Sequence, residues 1–170
     1  KNLLDSTKTI NTIELIAVDE QNKCPVVYAV KTQSGSGSIY YLKASGCSDV
    51  KLSMEKPKCM TWFYYISDYY LVVGCEKDKK GELILFNSKL EKLNSSYLDF
   101  PVDAICSVFN TYIAVACGTF LKEYLIDEEK KLQCKCSIST RGNCSSLTSP
   151  NSFAVIYASK ASSVSIYMME

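Results

Sequence analysis

Residues 68–75 read DYYLVVGC, and residues 110–117 read NTYIAVAC. The two segments align position by position at an offset of 42 residues, and residues 151–158, NSFAVIYA, repeat the pattern after a further 41. A weaker copy, PVVYAV, occupies residues 25–30. Each copy is an apolar run that ends near a small residue, which is typical of a strand in the middle of a sheet. Recurrence at a near-constant spacing indicates a repeat architecture.

A second apolar strand follows each copy after a polar turn. The predicted turns are residues 33–38, with a hairpin tip at 34–38, and residues 76–81, 118–119 and 159–162. These second strands are residues 39–42, 82–86, 121–125 and 164–167. Further short strands are predicted before every copy and after three of them, with clear alternation of apolar and polar residues at 132–138. Four short strands in about 40 to 45 residues are the signature of a propeller blade. The sequence therefore predicts an all-β chain of about four propeller blades with WD40-like architecture, forming one domain or part of a larger propeller. The approximate blade boundaries are 9–54, 55–98, 99–140 and 141–170.

The composition favours a soluble globular protein. Of the 170 residues, 47% are hydrophobic and 22% are charged, and the net charge is +1. A charge this close to zero gives no general attraction to nucleic acid or to an acidic membrane. No stretch approaches the roughly 18 apolar residues of a membrane helix, and the polar start does not resemble a signal peptide. We therefore expect the cytoplasm or the nucleus as the location.

The nine cysteines and the absence of histidine restrict the chemistry. An odd number of cysteines, most of them in apolar runs, favours free core thiols in a reducing compartment over a disulfide scaffold. Without histidine there is no His-based triad, no His-ligated zinc and no base that titrates near neutral pH. Cys134 and Cys136, with Cys144 eight residues later, have a spacing that favours core packing over zinc. With no phosphate-binding loop or nucleophile elbow, the sequence predicts no catalytic, cofactor or metal site.

Aromatic and basic residues provide the candidate binding groups. Residues 62–65, WFYY, place two aromatic side chains on each side of a strand, so that one pair can fill the core while the other meets a neighbouring blade. The alternative is an exposed patch for a protein partner, because Trp and Tyr dominate interface hot spots. Base stacking is a third interpretation, although no basic run is interleaved with these aromatics. The candidate partner-binding residues are Trp62, Tyr64, Tyr69, Lys77, Lys79 and Lys80.

One carboxylate interrupts an apolar strand. Asp103 stands between Val102 and Ala104, and an inward carboxylate at such a position can be functional. More often such a residue points to solvent or accepts a hydrogen bond from a neighbouring turn. The other acidic run, residues 127–129, precedes two lysines and is predicted to be a solvated turn.

Three successive units share a defined order of segments. The segments are YYLVVG (69–74) and GELILF (81–86), then FPVDAI (100–105), YIAVACG (112–118) and LKEYL (121–125), then residues 142–147, 153–156 and 162–165. The first unit follows the order strand, glycine, variable loop, glycine, strand. This order resembles that of the cleavage-and-polyadenylation specificity factor A-subunit region family, and the next two units are similar to that family's following blades. The resemblance covers roughly residues 61–168, and residues 1–60 fit as a generic blade.

The resemblance implies a non-enzymatic protein-binding scaffold in a nuclear complex. The family includes the large propeller subunit of splicing factor 3b, and residues 124–136 look most like that member, which implies a role in pre-mRNA processing. The alternatives are an adaptor of a cullin-type ubiquitin ligase or damaged-DNA-binding complex, and a cleavage-polyadenylation factor that binds RNA. A propeller hydrolase is a further class. The expected partners are protein subunits of a complex, with RNA or DNA reached only through the complex. No membrane, small-molecule substrate or cofactor is expected.

Overall fold

The chain is built from strands throughout the part that the structure describes. The computed structural model describes residues 10–19, 23–34, 37–52, 56–108, 112–140, 142–151, 154–159 and 164–168. Within these ranges there are fifteen β-strands and no helix. The all-β prediction is therefore confirmed. None of the described residues belongs to a helix of the length and hydropathy needed to cross a membrane.

The strands form four antiparallel sheets in which strand order follows chain order. Sheet 1 contains β1 (Ile10–Ala17), β2 (Val27–Ser34), β3 (Gly37–Ala44) and β4 (Val50–Leu52). Sheet 2 contains β5 (Lys56–Tyr65), β6 (Asp68–Lys77), β7 (Lys80–Asn87) and β8 (Lys92–Leu98). Sheet 3 contains β9 (Val102–Val108), β10 (Tyr112–Cys117), β11 (Phe120–Ile126) and β12 (Leu132–Ser139). Sheet 4 contains β13 (Cys144–Asn151), β14 (Ala154–Ser159) and β15 (Val164–Met168). Each sheet is thus a meander of consecutive strands.

Two-residue turns join β5 to β6 and β6 to β7. Ile66 and Ser67 between β5 and β6, and Asp78 and Lys79 between β6 and β7, all have positive φ angles, from 44° to 68°. Positive φ at both central residues is the type I′ pattern, whose twist matches that of the flanking strands. The sequence predicted a longer turn at 76–81, whereas here both strands extend until two residues remain. The polar tip predicted at 34–38 includes residues 35 and 36, which lie outside the described residues.

The sheets pack face to face in chain order. Along β6, Leu71, Val73 and Cys75 face sheet 1, while Tyr70 and Val72 face sheet 3. All five are at most 5% exposed. Because both faces of sheet 2 are covered, its middle strands are continuous apolar runs instead of alternating ones. This two-sided burial explains why the segment at 68–75 is so strongly apolar.

The packing between sheets 3 and 4 uses smaller side chains. Ala104, Ala114 and Ala116 of sheet 3 are buried there, and Cys144 and Leu147 of β13 pack against them. Small residues permit a close approach of the two sheets. Val108 and Leu121 of sheet 3 add larger aliphatic side chains to this contact.

Neighbouring sheets meet mainly along their first strands. β1 lies against β5, β5 against β9, and β9 against β13. The last strands approach one another less, although β8 and β12 are in contact. Among the described strands no pairing joins sheet 4 to sheet 1. The molecule is therefore a stack of four sheets with two outer faces.

Candidate functional site

The structure places Trp62 and Phe63 in the core. Trp62 is 6% exposed and packs between sheets 1 and 2, while Phe63 is 1% exposed and faces sheet 3. The alternation of side chains along β5 sends these neighbours to opposite faces. Trp62 is therefore not accessible on the surface, in contrast to its selection as a candidate partner-binding residue. Its indole Nε1 has no hydrogen-bond partner in the structure.

Tyr64 and Tyr69 form a pair at one end of sheet 2. They lie opposite each other on β5 and β6, their ring centroids are 4.8 Å apart, and their planes are inclined by 47°. Both are half-buried, and Tyr69 packs against the core between sheets 1 and 2. The turn that they flank carries Ile66, which is 74% exposed. We call Tyr64, Ile66 and Tyr69 the tyrosine turn, because these three residues form one surface.

The three candidate lysines lie at the opposite end of β6. Lys77, Lys79 and Lys80 are all exposed and flank the turn between β6 and β7. At roughly 3.3 Å per residue along a strand, Tyr69 and Lys77 are about 26 Å apart. The sequence-predicted residues therefore form two separate surfaces. We call residues 77–80 the lysine turn.

Tyr97 completes a shallow pocket beside the lysine turn. The pocket has a volume of about 210 Å³ and is lined by Lys77, Asp78, Lys80, Gly81, Glu82 and Tyr97. Tyr97 is 80% exposed and lies opposite Glu82 in the pairing of β8 with β7. Sequence reasoning missed Tyr97, since β8 has a weak strand pattern. Tyr97 could have been recognised as the single aromatic residue of a polar strand, directly before the buried Leu98.

The lysine turn carries a local excess of positive charge. The buried carboxylate of Glu82 is 3.1 Å from Lys92 Nζ, so its charge is balanced within the sheet. No carboxylate among the described residues forms an ion pair with Lys77, Lys79 or Lys80. The lysine turn thus offers three ammonium groups, opposed locally by Asp78, next to an exposed aromatic ring.

A second cavity lies at the same end of the stack, between sheets 2 and 3. Its volume is about 360 Å³, and its lining residues are Lys58, Glu76, Phe100, Pro101, Asp103, Gly118, Thr119 and Asn143. Lys58 Nζ lies 3.4 Å from Glu76 Oε2. Asp103 Oδ2 accepts a hydrogen bond of 3.2 Å from the backbone N–H of Gly118. Asp103 therefore holds the turn between β10 and β11, which confirms the second of the two interpretations of this residue.

Burial suppresses the acidity of several cysteine thiols. Burial raises the pKa of the Cys59 and Cys106 thiols to about 12 and that of Cys117 to about 11. Such thiols stay protonated near neutral pH and are poor nucleophiles and metal ligands. Cys134, predicted to pack in the core, is exposed, because β12 is the outermost strand of sheet 3 and is only partly covered. No group of three or more metal-ligating side chains occurs within the described ranges.

Glu123 is a buried carboxylate whose Oε1 has no hydrogen-bond partner among the described residues. It is 7% exposed and lies opposite Ala114, on the side of sheet 3 that packs on sheet 4. Burial raises the pKa of this carboxyl, because the low-polarity surroundings disfavour its charged form. Its position between the two sheets assigns Glu123 to their interface.

No protein-family model matches the chain, and no curated protein matches it. The resemblance to the cleavage-and-polyadenylation specificity factor A-subunit region therefore stays a prediction.

Proposed function

We propose that the four sheets are propeller blades and that the chain is a non-enzymatic scaffold for protein partners. The observation that carries this proposal is the contact between successive first strands, β1 to β5 to β9 to β13. In a propeller the first strand of each blade lies near the central axis, where the blades approach most closely, and the last strand lies at the periphery. Meander order within each sheet and face-to-face packing between sheets are the other expected features.

The ends of the blades supply the binding groups. Hairpin turns on a rigid scaffold concentrate recognition residues, because the turns tolerate sequence change while the sheets position them. The lysine turn and Tyr97 combine positive charge with an exposed aromatic ring. This combination suits an acidic protein segment that also carries an apolar or aromatic side chain. The pair of cavities at this end of the stack makes it the favoured binding edge.

The order of segments in sheet 2 supports a proposal for the type of complex that contains this chain. Gly74 and Gly81 bracket the lysine turn, in the order that resembles the cleavage-and-polyadenylation specificity factor A-subunit region. We therefore propose a subunit of a nuclear pre-mRNA processing assembly similar to splicing factor 3b. An adaptor in a cullin-type ligase or damaged-DNA-binding complex is the alternative within the same family.

Partner capture tests this proposal. Tagged chain is incubated with nuclear extract and compared with the triple variant Lys77→Glu, Lys79→Glu, Lys80→Glu. The matched control is Lys51→Glu, Lys56→Glu, Lys89→Glu, which makes the same change in net charge at other exposed lysines. We expect wild type and control to recover subunits of a splicing, 3′-processing or ligase complex, and the lysine-turn variant to lose most of this recovery. Recovery of none of these subunits by wild type would contradict the scaffold proposal, and equal recovery by all three proteins would contradict the binding edge.

RNA binding is a second candidate function. It is favoured by one observation, the exposed Tyr97 ring beside Lys77 and Lys80, because aromatic stacking together with phosphate contacts binds single strands. Binding of a single-stranded RNA by wild type should then weaken steeply with salt. Protein capture that survives nuclease treatment would favour the protein-binding function instead.

A further inference from the structure

The cavity between sheets 2 and 3 has an aromatic wall. Phe100 lines this cavity and is 44% exposed. The ring of Phe120 stacks on the ring of Phe100, with centroids 5.9 Å apart and planes inclined by 29°. Gly118 lies so close that a Cβ atom there would be 2.9 Å from Phe100 Cγ. These two contacts fix the position of an aromatic ring that remains accessible from the cavity.

The same cavity carries one uncompensated negative charge. Its ionisable lining residues are Lys58, Glu76 and Asp103. Lys58 and Glu76 neutralise each other, with Nζ 3.4 Å from Oε2. No lysine or arginine of the described ranges forms an ion pair with Asp103, whose Oδ2 accepts a hydrogen bond from the neutral N–H of Gly118. Because Asp103 is half-buried, salt screens its charge less than that of an exposed carboxylate. The cavity therefore attracts a cation.

An arginine side chain fits this combination of ring and carboxylate. A guanidinium group is planar, stacks on aromatic rings and donates several N–H groups to a carboxylate. A lysine ammonium is a compact and strongly hydrated charge that cannot stack in this way. A metal ion fits less well, because the described residues contain no group of three or more metal-ligating side chains. The cavity volume of about 360 Å³ is in the range of small-ligand pockets.

We propose that this cavity binds an arginine of the partner segment, with its guanidinium stacked on Phe100 and hydrogen-bonded to Asp103. This assignment rests on the proposed scaffold function, because the cavity lies at the binding edge. Glu76 lines the cavity and Lys77 lines the pocket of the lysine turn. Successive side chains of a strand project to opposite faces, so the two sites flank the end of β6. The partner segment therefore carries an arginine for one site and an acidic residue for the other.

Titration with Nα-acetylarginine methylamide, followed by amide NMR of the isotope-labelled chain, tests the site directly. We expect saturable shifts of the Gly118 and Thr119 amide signals, because both residues line the cavity and the Gly118 N–H is bonded to Asp103. The citrulline analogue of the probe has nearly the same shape without the charge. It should bind about tenfold more weakly, since a hydrogen bond to a charged group is replaced by a neutral one.

Two variants separate the carboxylate from the ring. Asp103→Asn keeps an oxygen acceptor for the Gly118 N–H but removes the charge, and it should weaken binding by about tenfold. Phe100→Leu removes the ring and should weaken binding by about threefold. The matched control is Glu128→Gln, which removes a carboxylate charge at an exposed turn and should bind the probe as wild type does.

The amide spectrum of each variant also shows whether it is folded. If Asp103→Asn is not, the citrulline probe and Phe100→Leu decide the outcome. The absence of saturable shifts at Gly118 and Thr119, or equal binding of the arginine and citrulline probes, overturns the arginine site. Unchanged affinity of either folded variant does so as well. The titration needs no partner protein, so its failure is distinct from failure of the scaffold proposal, which capture from extract tests.

Discussion

At the scale of single residues, Gly74 shows how closely two sheets approach. A Cβ atom at this position would lie 2.4 Å from Val102 Cγ1 and 2.8 Å from Cys59 Sγ, closer than real Cβ atoms pack. Gly74 lies in β6 and Val102 begins β9, so the missing side chain lets the first strand of sheet 3 rest on the middle of sheet 2. Gly74 is the first glycine in the order strand, glycine, loop, glycine, strand, and in this chain it allows the close packing of sheets 2 and 3.

We predict that Gly74→Ala lowers the free energy of unfolding by about 1–3 kcal/mol, because overpacking displaces the first strand of sheet 3. Urea denaturation measures this loss. The double variant Gly74→Ala, Val102→Ala should be more stable than the sum of the two single changes predicts, since the added methyl group fills space vacated by the valine. Additive effects, or a Gly74→Ala variant as stable as wild type, would show that the two residues are not in contact.

At the scale of elements, the hairpin between β5 and β6 holds local strain. Ile66 has a φ of 44° and Ser67 a φ of 68°, in the left-handed region that β-branched residues rarely occupy. The turn between β6 and β7 has the same shape but begins with Asp78, a residue that tolerates this region better. The exposed side chain of Ile66 does not need this backbone conformation, so the turn is a site where sequence and backbone geometry disagree.

Replacing the turn with Ile66→Asn, Ser67→Gly should raise the free energy of unfolding by about 1 kcal/mol, because Asn-Gly is the preferred pair for a type I′ turn. Chemical denaturation provides the measurement. Ser88→Asn, in the exposed turn between β7 and β8, is a control that should change stability little. A fall in stability of the redesigned hairpin would mean that Ile66 makes contacts that outweigh the backbone strain.

The middle strands were predictable from sequence, and the edge strands were less so. The run from Tyr70 to Cys75 is continuously apolar because sheet 2 is covered on both faces, so burial leaves a direct signal. β8 is polar over most of its length, since outer strands are only partly covered, and Tyr97 was missed there. The sequence did not show that the candidate binding residues lie on two separate surfaces. Tyr69 and Lys77 are on one strand, yet they lie at opposite ends of it.

At the scale of the whole molecule, one chain contains three copies of the same sheet-to-sheet contact. Sheets 2 and 3 lie in the middle of the stack, and the middle strands of sheet 2 are covered on both faces. The turns at the ends of the sheets lie outside this contact, and the lysine turn is one of them.

Amide hydrogen exchange followed by mass spectrometry tests the central claim, that four meander sheets pack face to face in chain order. Protection is greatest where backbone hydrogen bonds are shielded by packing and opening is costly. The account predicts the slowest exchange in β6, β7 and β10, which are middle strands of the doubly covered sheets, and the fastest in β1 and β15. Exchange in β6 and β10 as fast as in β1 and β15 would contradict it.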